Sequence, residues 1–214
     1  MNNKKIFIIG TGTMGVGICQ AILYRGYYVT VVTSNNVIRA TEKIKNALLK
    51  TIDKGKMSEI EMNECLKKFN VTNNLEDASD ANLVIECLPE DMKLKEDYFK
   101  KLDIICKPDT ILASNTSSLS ITNIASKTQR ADKIIGIHFL NPAHAMKLVE
   151  IVKGLQCSQE TFDVCVQFIK SLGKEIIVSK DTPGFILNYL QYPFRLQAIR
   201  MVEKGIATVE EIDK

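Results

Sequence analysis

The sequence predicts an α/β fold in which a mostly parallel sheet is followed by helices alone. Three observations support this fold class. Short apolar and β-branched runs alternate with longer amphipathic segments through most of the 214-residue chain, which is typical of strand–helix–strand units. A glycine-rich turn follows the first apolar run. From Pro183 onward the strand-like runs stop and only helical periodicity remains.

We therefore expect two domains, residues 1–182 and residues 183–214. The first ends with a helix over 158–172 and a last strand over 174–178. The second opens with a helical pattern that runs through Glu203, and a new helix starts at Thr208.

The glycine turn predicts the first functional site. It follows the strand Ile6–Ile9 and opens a helical segment, and its spacing is G-x-G-x-x-G. The first glycine permits a tight turn, the second lets the backbone approach a pyrophosphate, and the third lets helix pack on strand. The helix N-terminus then favours the anion. This is a Rossmann-type dinucleotide fingerprint, and the expected contacts are Gly10, Gly12, Thr13, Met14 and Gly15.

The tip of the second strand, Tyr28–Val32, bears on which dinucleotide binds. Units that bind NAD usually place Asp or Glu there to accept from the ribose 2′-hydroxyl. Here the tip is Thr33-Ser-Asn-Asn36, so no carboxylate repels a 2′-phosphate and no arginine attracts one; Arg39 lies one helical turn further. Hydroxyls and amides could equally bind the ribose of NAD. Both NAD and NADP remain open.

A long amphipathic helix is predicted over Asn36–Lys56, and a second helix over Ser58–Lys68. The residues expected to face inward are Val37, Ile44, Leu48, Leu49 and Ile52. Five lysines face outward: Lys43, Lys45, Lys50, Lys54 and Lys56. Such a face is either simply solvated or a docking site for the phosphates of a substrate.

Polar residues follow the predicted fifth strand. Strands are expected over 69–72, 83–86 and 110–113, with a helix over 92–106, and this succession favours parallel pairing with right-handed crossovers. The cluster Ser114-Asn-Thr-Ser-Ser118 lies at the carboxyl end of the last of these strands, the edge that holds ligands in open α/β sheets. The same residues could instead serve turns and the cap of a helix near Ser120.

A short loop near residue 144 joins two further strand-like runs, so we expect an antiparallel hairpin. This pairing places His138 opposite Glu150, with Cβ atoms about 4.5–5.5 Å apart. A carboxylate there would fix the tautomer of the imidazole and stabilise the imidazolium, as in a general base. The alternative is a salt-bridged pair within a sheet. His144 is expected to be an exposed loop residue.

Composition excludes several classes of function. A net charge of +3 from well-mixed residues does not favour a nucleic-acid partner. The six cysteines form no C-x-x-C pair and the chain has two histidines, so we expect reduced packing cysteines and no metal site. No apolar run approaches the roughly 20 residues of a membrane span. With the first strand starting so early, we expect no signal peptide and a cytoplasmic protein.

Seven motifs, in this order, resemble those of the L-3-hydroxyacyl-CoA dehydrogenases, above all the short-chain bacterial members that act on 3-hydroxybutyryl-CoA. They cover essentially the whole chain: Gly10–Gly17, Val84–Glu86, Glu90 with Lys95, Ala113–Ser118, His138–Pro142, Met146–Glu150 and Pro183–Asn188. The resemblance implies an NAD(P)-dependent oxidoreductase that interconverts a 3-hydroxyacyl-CoA and a 3-ketoacyl-CoA without a metal.

The resemblance also implies roles for individual residues. His138 would be the base, Glu150 would orient it, and Ser117 and Asn188 would hold the substrate oxygen. Further cofactor contacts would come from Thr33, Glu90, Lys95 and Asn115. Asn141, Lys50 and Lys54 would bind the substrate, the two lysines through the phosphates of coenzyme A.

Three departures from the family accompany this resemblance. Thr33 stands where an acidic residue is usual, and Tyr189 where an arginine commonly follows the asparagine. The family also continues into an all-helical domain that forms a homodimer and closes the substrate cleft, so residues 183–214 would be only its opening helices, with Phe194, Leu196 and Ile199 poorly covered. Two alternative functions follow: a nucleotide-binding module without turnover, and a dehydrogenase of a free hydroxy acid.

Overall fold

The computed structural model describes residues 4–34 and 36–214. Within them, eight strands form one sheet in the order β3-β2-β1-β4-β5-β6-β7-β8. All neighbouring strands pair in parallel except β6 and β7, which are antiparallel. The strands are β1 Lys5–Ile9, β2 Tyr28–Val32, β3 Phe69–Thr72, β4 Leu83–Glu86, β5 Ile111–Ser114, β6 Ile134–Phe139, β7 Leu148–Lys153 and β8 Glu175–Lys180. The predicted fold class is confirmed.

The helices follow the expected segments closely. They are α1 Thr13–Leu23, α2 Val37–Asp53, α3 Glu59–Lys67, α4 Met92–Ile105, α5 Ile121–Ala125, α6 Gln159–Ser171, α7 Leu187–Glu203 and α8 Val209–Ile212. Asn36 caps α2 by accepting a hydrogen bond from the Arg39 N–H. Among these residues no helix is long and apolar enough to cross a membrane.

One inward position of α2 was predicted wrongly. Leu49 is 45% exposed, whereas Ala40, Ile44 and Leu48 are buried. These three are spaced four residues apart and form a narrow stripe against α1, and Leu49 lies about 100° around the helix from Leu48. All five lysines expected to face outward are exposed.

The central strands β1 and β4–β7 are covered on both faces and are buried almost throughout, whereas the edge strands β3 and β8 are partly exposed. Along β1, Ile6 and Ile8 belong to one buried cluster and Phe7 and Ile9 to another. The first cluster contains side chains of α1, α2 and α6, and the second contains side chains of α4 and α5. The sheet is therefore rigidly held, and ligand sites can form where its strands end.

The strand order reverses between β1 and β4, and a crevice opens at their carboxyl ends. The glycine turn lies there. Gly10 has φ 106°, which favours glycine, and a Cβ added to Gly15 would lie 2.0 Å from the Gly10 carbonyl oxygen. Two of the three glycines are therefore required by the fold itself.

The link from β8 to α7 is anchored by Asp181. Its carboxylate accepts hydrogen bonds from the N–H groups of Ile121 and Thr122 and from the Ser120 hydroxyl, at the start of α5. Gly184 and Phe185 follow with φ values of 80° and 53°, and they turn the chain into α7. Phe194, Leu196 and Ile199 of α7 are exposed, as expected. The domain boundary after residue 182 stays a prediction.

Candidate active site

Three adjoining cavities surround the carboxyl ends of β1, β4 and β5. The nucleotide cavity, of about 670 Å³, includes Gly10, Gly12, Thr13, Met14, Thr33, Ser34, Lys43, Leu88 and Lys101. The active-site cavity, of about 630 Å³, includes Glu90, Asn115, Ser117, His138, Asn141 and Asn188. The lysine groove, of about 440 Å³, includes Lys43, Asn46, Lys50, Asn141 and His144. Met14, Cys87 and Leu88 line both the nucleotide and the active-site cavities.

The glycine turn fits a dinucleotide pyrophosphate. Gly12 is the N-cap of α1, and because glycine has no side chain it does not cap the N–H groups of the first turn. A Cβ added to Gly12 would meet nothing within 4 Å, so the second glycine borders open space in the nucleotide cavity. Because these N–H groups lie beside that space at a helix N-terminus, they can bind a phosphate there.

His138 and Glu150 form the pair that the hairpin predicts. They lie opposite each other in the antiparallel register of β6 and β7, and Nδ1 of His138 is 2.6 Å from Oε2 of Glu150. Both side chains are buried, and the Phe185 ring packs with its centroid 5.9 Å from that of the imidazole. With Nδ1 engaged, Nε2 is the nitrogen that remains for a ligand in the active-site cavity.

Glu150 has a second set of partners that the sequence analysis missed. Its Oε1 accepts hydrogen bonds of 3.0 Å from the main-chain N–H groups of Ile186 and Leu187, at the start of α7. Burial alone would raise the pKa of Glu150, but the hydrogen bonds from His138, Leu187 and Ile186 outweigh it and hold the pKa below its usual value. Glu150 therefore remains a carboxylate while it contacts His138 of β6 and the start of α7.

Glu90 is held by the polar loop after β5. Its Oε1 accepts from the hydroxyls of Thr116, Ser117 and Ser118 and from the N–H groups of Ser117 and Ser118. Burial raises the pKa of Glu90, but these hydrogen bonds and nearby Lys95 lower it further than burial raises it. The polar cluster thus binds a carboxylate of its own chain, and Ser120 caps α5 as the alternative interpretation expected.

Lys95 does not reach the open cavity. Its side chain is buried, and Nζ lies 2.7 Å from Glu86 Oε1, 3.2 Å from the Leu88 carbonyl oxygen and 3.5 Å from Glu90 Oε2. Glu86 also accepts from the Ser114 hydroxyl through Oε2. The Lys95–Glu86 pair therefore ties α4 to the end of β4, and the hydrogen bond from Ser114 ties β4 to the end of β5. Sequence analysis missed Glu86, although a carboxylate ending a buried strand was a signal.

The other predicted residues are placed as follows. Asn188 donates from Nδ2 to the Ser117 carbonyl oxygen at 2.9 Å, which joins α7 to the polar loop. The side-chain oxygen of Asn115 accepts from the Phe139 N–H beside His138. Asn141 lines both the active-site cavity and the lysine groove. Lys50 lines the groove, whereas Lys54 lines none of the three cavities.

Comparison with known proteins decides the family. The family model described as 3-hydroxyacyl-CoA dehydrogenase, NAD binding domain, matches residues 5–182, and the model described as its C-terminal domain matches residues 184–214. The chain belongs to the 3-hydroxyacyl-CoA dehydrogenase family.

Individual 3-hydroxyacyl-CoA dehydrogenases agree with this assignment. The 3-hydroxybutyryl-CoA dehydrogenase of Clostridioides difficile is 42% identical over 212 residues, covering 98% of this chain and 75% of the relative. The human mitochondrial hydroxyacyl-coenzyme A dehydrogenase is 41% identical over 218 residues, covering 98% and 69%. The crystal structure of (S)-3-hydroxybutyryl-CoA dehydrogenase from Ralstonia eutropha superposes with a TM-score of 0.93 at 36% identity, covering 98% and 75%.

Proposed function

We propose that this member of the 3-hydroxyacyl-CoA dehydrogenase family interconverts 3-hydroxybutyryl-CoA and acetoacetyl-CoA with a nicotinamide dinucleotide. The observation that carries the proposal is the pair of His138 and Glu150, 2.6 Å apart, in a cavity that adjoins the nucleotide cavity. A base beside a dinucleotide site is the arrangement needed to oxidise an alcohol. A bound nicotinamide would supply the two-electron redox chemistry.

His138 acts as the general base in the oxidising direction. Its Nε2 takes the proton of the substrate 3-hydroxyl, and in the reverse direction the imidazolium returns that proton to the new alkoxide oxygen. Glu150 keeps the other ring proton on Nδ1 and stabilises the imidazolium charge. Burial of the pair under Phe185 strengthens this interaction, because little water screens it.

Ser117 and Asn188 hold the substrate oxygen. The Ser117 hydroxyl is one of five donors to Glu90 Oε1, so it can turn to donate to the substrate oxygen while the other four hold Glu90. Asn188 uses one Nδ2 hydrogen on the Ser117 carbonyl, and its second hydrogen can donate to the developing carbonyl oxygen. The two residues thus both donate to the oxygen on which negative charge develops.

The lysine groove supports a coenzyme A ester rather than a free hydroxy acid. It meets the active-site cavity at Asn141 and carries Lys50 on α2, while Lys43 is shared with the nucleotide cavity. A cation on this path suits the phosphates of the coenzyme A handle, which a free hydroxy acid lacks. Lys54 lies one helical turn beyond Lys50 and would bind only a handle that continues past the groove.

Two further properties remain predictions under this proposal. The homodimer implied by the resemblance to the family is tested by sedimentation. A cytoplasmic location is tested by cell fractionation.

The test of the proposed function is the reduction of acetoacetyl-CoA with NADH and, separately, NADPH. We expect one of them to be oxidised, and free acetoacetate to be a much poorer substrate. His138→Gln is expected to lower kcat by about 10²–10⁴-fold because it removes the group that returns the proton to the substrate oxygen. The matched control is His144→Gln, at the chain's other histidine, which lies outside the active-site cavity but lines the lysine groove, so it should leave kcat unchanged even if KM changes.

The possible outcomes separate the candidates. If neither nucleotide is oxidised but both are bound, the chain is a nucleotide-binding module and the enzyme proposal is wrong. If acetoacetate is reduced as well as its thioester, the coenzyme A assignment is wrong. Full activity of His138→Gln would contradict the role of the base.

A further inference from the structure

Among the residues that the structure describes, the nucleotide cavity is lined by two cations and no anion. Lys43 and Lys101 both line it, and none of its lining residues within the described ranges 4–34 and 36–214 carries a carboxylate. A dinucleotide without further phosphate needs only the pyrophosphate site at the glycine turn. The two lysines therefore suggest that the ligand carries a further negatively charged group.

Thr33 lies in this cavity at the end of β2, the position that contacts the adenosine ribose in dinucleotide-binding folds of this type. It follows β2 directly, and its N–H donates to the Thr72 carbonyl oxygen at 3.0 Å. Its hydroxyl oxygen lies 3.2 Å from that of Thr11 in the glycine turn. The tip of β2 is thus held beside the pyrophosphate site, where a carboxylate would accept from a ribose 2′-hydroxyl and repel a 2′-phosphate.

The two lysines approach from opposite walls. Lys43 lies on α2, the helix that follows the tip of β2, and Lys101 lies on α4. The Lys101 ammonium is 5.5 Å from the centre of the Tyr98 ring, and Tyr98 also lines the cavity. Ser34 adds a second hydroxyl at the tip. Cations and hydroxyl donors around one ribose position are the chemistry that binds a phosphate monoester.

We propose that the chain selects NADP(H) over NAD(H), with the 2′-phosphate bound by Ser34 and Lys43 beside Thr33 and with Lys101 supporting the charge from the other wall. The proposal rests on the dinucleotide site of the proposed function and names the ligand of that site. Arg39, the cation that the sequence places next to the tip, does not line the cavity, so Lys43 takes its place.

The test is direct binding, by calorimetry, of two fragments that lack nicotinamide: ADP-ribose and 2′-phospho-ADP-ribose. They differ only in the 2′-phosphate, so the ratio of their dissociation constants measures selectivity without any turnover. We expect the phosphorylated fragment to bind at least about tenfold tighter, as a charge-assisted contact provides. The ratio should fall as ionic strength rises, because the lysines are solvent-exposed.

Lys43→Ala and Arg39→Ala form a matched pair on α2. Both remove one positive charge from an exposed position of the same helix, but only Lys43 lines the cavity. We expect Lys43→Ala to reduce the ratio by about fivefold or more and Arg39→Ala to change it by less than about twofold. Thr33→Asp is expected to reverse the preference. Since Thr33 is buried, Ser34→Asp at the exposed neighbour provides the same test if Thr33→Asp does not fold.

Each outcome decides one proposal. Equal or tighter binding of ADP-ribose would overturn NADP(H) selectivity and leave the dinucleotide site intact. Equal losses in Lys43→Ala and Arg39→Ala would also overturn it, because the effect would then be one of net charge. Binding of neither fragment would instead remove the dinucleotide site on which the proposed function depends.

Discussion

Glu150 contacts His138 with one carboxylate oxygen and the start of α7 with the other. Glu150→Gln separates these two tasks. The amide oxygen can still accept from Ile186 and Leu187, but the amide nitrogen donates to Nδ1 and leaves the ring hydrogen on Nε2. We therefore expect kcat for 3-hydroxybutyryl-CoA oxidation to fall by about 10²–10⁴-fold, since a ring with its hydrogen on Nε2 cannot accept the substrate proton there.

The stability of the Glu150 variants provides the control. Glu150→Gln should lower the free energy of unfolding by about 1–2 kcal/mol, because its hydrogen bonds lose their charge. Glu150→Ala should cost more, since it also leaves two N–H groups at the start of α7 unpaired. Urea unfolding measures both. Equal losses would show that Oε1 contributes nothing to anchoring α7.

Gly12 and Gly15 are expected to fail in different ways when changed to alanine. A Cβ at Gly15 lies 2.0 Å from the Gly10 carbonyl oxygen, so Gly15→Ala should destabilise the fold by about 1–3 kcal/mol. A Cβ at Gly12 meets nothing within 4 Å, so Gly12→Ala should fold normally but weaken binding of ADP-ribose by about tenfold or more. Unfolding and calorimetry on both variants measure this; unchanged binding by Gly12→Ala would place the pyrophosphate elsewhere.

Lys95 is expected to matter chiefly for stability. Lys95→Met leaves the buried Glu86 carboxylate without its cation, and such a loss costs about 3–5 kcal/mol. Adding Glu86→Gln to this variant should restore much of that free energy of unfolding. Lys93→Met, at an exposed position of the same helix, is the control and should change little. If Lys95→Met were as stable as the parent, the pair would not contribute to holding α4 against β4.

Glu90 predicts part of the dependence of stability on acid. Its folded-state pKa lies below its usual value of 4.5, so the native state binds its proton less readily than the unfolded state does. The stabilisation is thus present above the unfolded pKa and is lost as pH falls through the folded pKa. We expect Glu90→Gln to lose less unfolding free energy than the parent between about pH 5.5 and about pH 3.5. Glu42→Gln, at an exposed position of α2, should follow the parent curve.

The fold and the pairing of His138 with Glu150 could be predicted because both depend on local patterns. Strand and helix periodicity specify the parallel units, and a short loop between two apolar runs leaves one simple antiparallel register. The glycine turn could be predicted for the same reason, since it lies between a strand and a helix that both have clear local patterns.

The remaining contacts depend on long-range geometry that no local pattern contains. Ile186, the second partner of Glu150, lies 36 residues further along the chain. It reaches Glu150 through a turn in which Phe185 has a positive φ, which bulky residues seldom adopt. Lys95 was expected to contact the cofactor, yet its side chain is buried. From α4 it pairs with Glu86, the residue that ends β4 beneath that helix. The absence of Arg39 from the nucleotide cavity was likewise invisible, since it depends on how α2 rotates against α1.

The anchored link between β8 and α7 restricts how the start of α7 can move. Asp181 fastens one end to α5, and Glu150 fastens the other at Ile186, five residues later. Five residues span at most about 17 Å when fully extended, and the turn at Gly184 and Phe185 shortens that reach. The start of α7 is thus held close to both α5 and Glu150, which limits how far it can be displaced. The carboxylate of Glu150 holds both Ile186 and His138. A shift of α7 large enough to break the contact with Ile186 would therefore also disturb the orientation of the general base, so the position of α7 and the alignment of His138 are coupled.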